Sequence, residues 1–286
     1  MDPLSWEELR DYWEHHAGHE GRLDPAADPD ALGNVCWPGQ PLWLNRHLAN
    51  LQEAAYDELL KLTPPPAPGR RALDVGCGSG RWCRMLGARG FENIVGIDLQ
   101  PVLIEADRAR MPGFRFELVA LQDFEDAEGF DLISSVTVIQ HNPFEHHAAL
   151  AAKMRSLVRD GGHVMLLENV RDRSSYTFPH PPEGWIELFR AADFEVIATR
   201  PYDFSPMLRA VLRARAAIGE LKRARGRQAA PEPPRPAAPR PSSPAHAALM
   251  VALRAAVSVD KPIERLFARH PDGRTSIHCG FLFRAA

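Results

Sequence analysis

Apolar positions along this chain follow two periods, and the switches between them outline the elements. Short apolar runs that stop near glycine or aspartate recur at 71–75, 93–98, 114–119, 130–136, 163–167 and 194–198. Each is too short for a helix and rich enough in Val, Ile, Leu and Phe to be a strand. Between them apolar residues recur three and four apart, at 81–88, 101–110, 143–158 and 183–191. These stretches read as helices. Pro101 sits at a first helical position, and Asp160-Gly161-Gly162 supplies a left-handed cap after the third helix. A seventh strand-like run, 276–283, closes the chain.

Strands alternating with helices of this length imply a parallel sheet covered on both faces. The expected fold is therefore a doubly wound α/β sheet over 70–202. The C-terminal run 273–286 returns to complete it. Two segments lie outside. Residues 1–69 hold helix-like 6–16, an irregular Gly/Pro/Asp-rich stretch and helix-like 44–62, then the stiff connector Thr63-Pro64-Pro65-Pro66-Ala67-Pro68-Gly69. Residues 203–272 form an insertion that opens with a basic helix, 207–225. Its next part, 229–244, is rich in Pro, Ala and Arg and too poor in large apolar groups to offset the entropy of ordering, so it is expected to be disordered. Short helices at 246–257 and 263–269 follow.

Composition narrows the class. With 286 residues, 45 % hydrophobic, 25 % charged and a net charge of -3, the chain reads as an ordinary globular protein. That balance makes neither nucleic acid nor an anionic membrane the default partner. No run approaches the ~18 apolar residues of a membrane helix. The acidic start Met1-Asp2-Pro3-Leu4-Ser5-Trp6-Glu7-Glu8 is not a signal peptide. Cys36, Cys77, Cys83 and Cys279 are too scattered for a disulfide framework or a zinc site, so free thiols and a cytoplasmic location are expected. His141, His146 and His147 do not form a two-His-one-carboxylate set, so no metal is expected, and His146 and His147 read as solvated helix surface.

The chemistry concentrates at the end of the first strand. Gly76, Gly78 and Gly80 follow Asp74 and precede a helix. Glycine admits positive φ and lets backbone approach a ligand, and the helix N-terminus adds unpaired N–H groups. The spacing is shorter than the Gly-x-Gly-x-x-Gly of a dinucleotide site. Asp74 would repel a pyrophosphate and suits a cation such as an α-ammonium group. An NAD-dependent oxidoreductase is therefore the rival reading. A non-catalytic binding protein on the same fold is another.

Ala72-Leu73-Asp74-Val75-Gly76-Cys77-Gly78-Ser79-Gly80-Arg81-Trp82 closely resembles the first motif of class I, Rossmann-like S-adenosylmethionine-dependent methyltransferases. The resemblance covers about 70–202 and the last strand. It implies a seven-stranded, mostly parallel sheet with the last strand antiparallel, an N-terminal helical lid, and a helical insertion before that strand. It also implies S-adenosylmethionine as cofactor. Asp98, ending the second strand, would accept the ribose hydroxyls, and Leu99 would pack on the adenine. After the third strand Ala120 stands where the family often has Asp, so the adenine edge falls to Leu121, Gln122 or Asp123. Ser135 and Val136 would line the pocket at the end of the fourth strand. The Asn/Asp-Pro-Pro-Tyr signature of amino-group methyltransferases acting on nucleobases or amides is missing there. The resemblance points to methyl transfer to oxygen or nitrogen of a small metabolite, of natural-product or sugar type.

His141, after the fourth strand, is the best-placed general base. Tyr176 and His180, in the loop after the fifth strand, are candidate substrate contacts. The N-terminal segment carries Trp6, Tyr12, Trp13, Trp37 and Trp43. As a lid these could enclose a sulfonium or shape an apolar pocket, Tyr12 and Trp13 above all, with Asn34 and Asn45 as polar contacts. Arg209, Arg213, Arg215, Lys222, Arg223, Arg225 and Arg227 make the insertion basic. That leaves open a solvated face or a contact for an anionic partner such as a carrier protein.

Overall fold

The computed structural model describes residues 6–16, 28, 30–32, 36, 40–65, 67–174, 176–225, 244–269 and 276–286. Asn34, Trp37, Arg227 and the stretch 229–243 lie outside them. The chain divides into two compact units, Met1–Tyr202 with Ser276–Ala286, and Asp203–Thr275.

The first unit is built on a seven-stranded sheet. Its strands are β1 (Arg71–Val75), β2 (Asn93–Asp98), β3 (Arg115–Leu118), β4 (Phe130–Val136), β5 (Val158–Asn169), β6 (Phe194–Tyr202) and β7 (His278–Ala285). They run in the order β3-β2-β1-β4-β5-β7-β6. Pairs β1–β2, β1–β4, β2–β3 and β4–β5 are parallel, and β7 is antiparallel to both β5 and β6. The expected sheet, with its reversed last strand, is the one observed.

Helices cover both faces. On one, α2 (Leu42–Leu60), α3 (Arg81–Ala88) and α4 (Pro101–Arg110) bring Tyr56, Leu59, Trp82, Leu86 and Ile104 onto Ala72, Ile94, Leu132, Met165 and Leu282. On the other, α5 (Phe144–Leu157) and α6 (Pro182–Arg190) bring Leu150, Met154, Trp185 and Phe189 onto Leu73, Ile133, Leu166 and Phe283. Alternate strand residues thus serve alternate layers, as the pleat requires. Phe189 stacks on Phe283 with centroids 4.6 Å apart. Each such fully buried side chain contributes about 1.5–3 kcal/mol of transfer free energy. The N-terminal segment adds α1 (Trp6–His16) as well as α2. Tyr56 and Leu59 make α2 part of the face layer itself.

Two local expectations change. The turn at 160–162 does not cap α5. That helix ends at Leu157, and Val158 pairs at once with Phe130, the register shifting before Leu132 meets His163. Gly161, at φ +72°, serves this irregularity inside β5. His147 is not surface but 1 % exposed, on the α5 face that also buries Leu150, Ala151 and Met154.

The second unit contains α7 (Pro206–Arg225) and α8 (Pro244–Arg269). The two short helices expected around Pro262 are one, because Leu253, Ala256, Val257, Asp260 and Glu264 keep one buried stripe across it. The buried Asp260 carboxylate accepts the N–H groups of Met207 (3.0 Å) and Leu208 (2.8 Å), capping α7 from its neighbour. Ser205 Oγ donates to Glu264 Oε1 at 2.7 Å. Arg209 pairs with Asp203, while Arg213 and Arg215 are exposed.

Candidate active site

Parallel pairing aligns the C-terminal ends of β1, β2 and β4, with Val75 opposite both Ile97 and Ser135. The chain leaves β1 through three left-handed glycines, Gly76 (φ +65°), Gly78 (+56°) and Gly80 (+66°). At Gly76 a Cβ would drive into Val138 Cγ2. At Gly80 it would drive into Met111 Cε and lie 2.9 Å from Asp107 Oδ2. The loop is clamped from behind, where Arg110 donates to Ser79 O (3.0 Å) and Ser79 Oγ to Asp30 O (2.5 Å). Gly80 then starts α3, whose first residue, Arg81, lies buried over the Trp82 ring (4.2 Å) and donates to Gln52 Oε1 (2.7 Å).

Asp98 closes the loop onto β2. Its Oδ2 accepts Gly78 N–H at 2.8 Å and its Oδ1 accepts Gln100 N–H at 3.0 Å. Burial pushes its pKa up, against the backbone N–H groups of Gly78, Gln100 and Leu99. With these three donors the carboxylate still has acceptor capacity for a further one.

Asp74 is fully buried. Its Oδ2 accepts the Cys83 thiol at 3.5 Å, and Oδ1 has no hydrogen-bond partner. Burial pushes the carboxyl up to about 7, against hydrogen bonds from Cys83 and Ser134, with Asp98 adding to the rise and Arg81 opposing it. A buried carboxylate with an unused oxygen beside a glycine cradle fits an ammonium group. These residues therefore fit S-adenosylmethionine: Asp74 would face its α-amino group, the glycines would lie beneath its amino-acid part, and Asp98 would face the ribose. That cofactor supplies a methyl group activated on sulfonium sulfur.

Leu99 is half-buried next to Asp98. Val119 N–H donates to Asp98 O at 3.1 Å, bringing the end of β3 to the same rim, where Leu121–Asp123 form a single 3-10 turn. Leu121 packs into the core, Gln122 is half-buried and Asp123 is exposed, so the Leu121 side chain is committed to packing. Val136 is buried in the Asp74-side core. Ser135 is buried too, on the opposite face of β4 from Ser134. Ser134, pairing with Asp74 and receiving the Tyr56 hydroxyl at 3.2 Å, is the serine that shares the acid's face. Reading β4 in register with β1 would have singled it out. Tyr56, stacked on Trp82 at 4.5 Å, and Gln52 carried no motif and come from α2.

His141 ends a 3-10 turn, Ile139–His141, directly after β4. Two of the sequence candidates, Trp13 and Tyr176, meet it, and a third, Tyr12, packs on both of them. The Trp13 ring lies 4.6 Å from the imidazole, Tyr176 6.1 Å, and Tyr12 stacks on Tyr176 at 6.0 Å and meets Trp13 edge-on at 5.0 Å. Burial, with Tyr176 adding, pushes the Tyr12 phenol up to about 12, so it stays neutral. Hydrogen bonds assign the imidazole. Gln140 Oε1 accepts Asn169 N–H at 2.5 Å, so Gln140 Nε2 donates to His141 Nε2 at 3.2 Å, and His141 Nδ1–H donates to Tyr176 O at 2.7 Å.

His180 belongs elsewhere. It lies against His147, with Nε2 and Nδ1 2.9 Å apart, beside Phe144 and Trp185. His147 Nε2–H donates to Asn142 O at 2.7 Å, and burial lowers His147 to about 4, so this pair is neutral packing rather than part of the His141 cluster. Asn45 is buried within α2. All four cysteines are free thiols. Among the described residues no group of three His, Cys, Asp or Glu could hold a metal, and no helix is long and apolar enough to cross a membrane.

Comparison with known proteins agrees with this geometry. Residues 46–205 match the family model described as a methyltransferase domain. The chain is similar to a trans-aconitate 2-methyltransferase of Methylobacterium radiotolerans, 35 % identical over 106 residues, covering 37 % of this chain and 40 % of that protein. It is also similar to a tRNA U34 carboxymethyltransferase of Azotobacter vinelandii, 35 % identical over 130 residues, covering 42 % and 39 %. The match thus spans about two-fifths of each relative's length. Among solved structures the (4+2)-cyclase SpnF shares the fold across 100 % of this chain and 98 % of its own, with a TM-score of 0.57 and 14 % identity. A shared fold does not by itself carry a shared reaction. The family match over more than half of the chain, joined to the glycine loop with buried Asp74 before it and Asp98 closing it, makes this chain a member of the class I, S-adenosylmethionine-dependent methyltransferase family.

Proposed function

We propose that the chain methylates an oxygen, or else a nitrogen, of a small metabolite, with His141 as the general base. The observation that carries this is the meeting of His141, on the turn whose Val138 abuts Gly76, with Trp13 and Tyr176, on which Tyr12 packs in turn. A base, flat apolar ring faces and the cofactor loop then border one place. The aromatic groups would exclude water and orient the acceptor. His141 would take the acceptor's proton on Nε2, giving up the Gln140 contact as it does so.

Charge supports a small acceptor over a polyanion. Residues 203–275 carry 14 basic against 6 acidic residues, which leaves 20 against 31 in the unit that holds the site. A net charge near -11 there disfavours RNA at the site. The same imbalance, +8 on the insertion, favours a second reading in which an acidic carrier protein presents the acceptor. S-adenosylhomocysteine formation over a metabolite panel tests the proposal, with H141A expected to lower kcat about 100-fold on an oxygen acceptor. Cofactor binding without product from any acceptor pool would instead favour a non-catalytic binder.

A further inference from the structure

Glu168 has no place in the scheme above, yet it is fully buried at the end of β5 beside the turn that bears His141. The β4–β5 ladder ends with Val136 opposite Leu167, followed by Thr137 N–H donating to Leu167 O at 2.7 Å. The strand partner then continues as a side chain. Glu168 Oε1 accepts the N–H groups of Val138 (3.3 Å) and Ile139 (3.0 Å), and Oε2 accepts that of Gln140 (3.2 Å). Asn169 N–H completes the run by donating to Gln140 Oε1.

The backbone here is shaped for an anion. Thr137 is left-handed at φ +57° and Val138 is right-handed, so the following N–H groups converge into a concave nest. A β-branched residue at positive φ persists only where its surroundings over-determine it. The carboxylate does so. Burial pushes Glu168 up to about 8, against these three N–H groups, and its two oxygens can accept all three in either protonation state, whereas an amide would turn a hydrogen of its own toward one of them. What the nest holds is functional on both sides. Val138 is the wall against which Gly76 packs, and Gln140 is the donor to His141 Nε2.

We propose that Glu168 is a positioning residue: the two oxygens of its carboxyl group fix the 138–140 turn and, through Gln140, set the tautomer and aim of His141. The proposal rests on His141 being the base only for its catalytic consequence, and its structural content stands apart. The test reads the imidazole directly, by long-range ¹H–¹⁵N correlation of histidine-labelled protein. In the parent protein His141 carries its proton on Nδ1. In E168Q the His141 signals move toward exchange between tautomers, while those of His147 and His180 stay in place. In the same variant kcat falls about 10–100-fold with a smaller change in KM for S-adenosylmethionine. A folded E168Q with unchanged His141 signals overturns the proposal. If the signals move but turnover does not fall, positioning stands and the base assignment fails. Should E168Q not fold, Q140M, which keeps the carboxylate and its three donors but removes the link to Nε2, must shift the same His141 signals, and an unshifted imidazole there overturns the proposal equally.

Discussion

Replacing Asp74 by Asn should make the cofactor-free protein more stable and the cofactor weaker. The isosteric amide keeps one oxygen for the Cys83 thiol or the Ser134 hydroxyl, removes the charge and puts an NH2 in place of the other oxygen. In the cofactor-free fold the carboxyl rises from 3.8 to about 7, mainly through burial. Ionising it there costs roughly 4 kcal/mol at about 1.36 kcal/mol per pH unit. The sign follows from proton counting. Between pH 4 and 7 the native state holds a proton that the unfolded chain has released, so stability falls as pH rises through this window and levels above it. At pH 8 D74N escapes that penalty but still buries an amide, so a net gain of about 1–3 kcal/mol is expected. Losing a charge-assisted bond to the ammonium should cost about 2–3 kcal/mol of binding, or roughly 30–150-fold in Kd. Urea unfolding at pH 8, and calorimetric titration with S-adenosylhomocysteine between pH 6 and 8, measure both. The parent protein should bind more tightly as pH rises to about 7, and D74N should show little such dependence. A variant that loses stability at pH 8 while keeping its affinity would refute the reasoning and make Asp74 a structural acid.

G76A forces a left-handed alanine into Val138, which should cost about 2–5 kcal/mol in backbone and overpacking together; denaturant midpoints and product affinity, both lowered, check it. W185A empties a fully buried site whose Nε1–H donates to Asn169 O at 3.2 Å. A loss of about 3–5 kcal/mol, seen as a Tm lower by roughly 10 °C, is expected without any specific change in the His141 signals. If an acidic carrier presents the acceptor, the double variant R213E/R215E should raise KM for the carried form about tenfold, as should 0.5 M salt, and leave turnover of the free acceptor unchanged. Equal effects on both forms would remove the carrier reading.

The sequence alone determined what depends on local pattern. Strand and helix order and the cofactor loop were legible because period, glycine spacing and two acids at strand ends are contiguous signals, while the reversed last strand was expected only through the family resemblance that the loop carries. Tertiary structure decided what depends on which faces meet. It set Ser134 rather than Ser135 beside Asp74, since strand register and pleat choose the face. It joined the Asp74 layer to Tyr56 and Gln52, on the helix before the glycine loop's strand, because burial of α2 carries no motif. It separated His180 from His141 and buried His147, since a histidine's neighbours are packed, not spelled. Above all it placed Glu168 under the turn that bears His141. A buried carboxylate reads as an ordinary strand-end acid until the three N–H groups it answers are folded onto it.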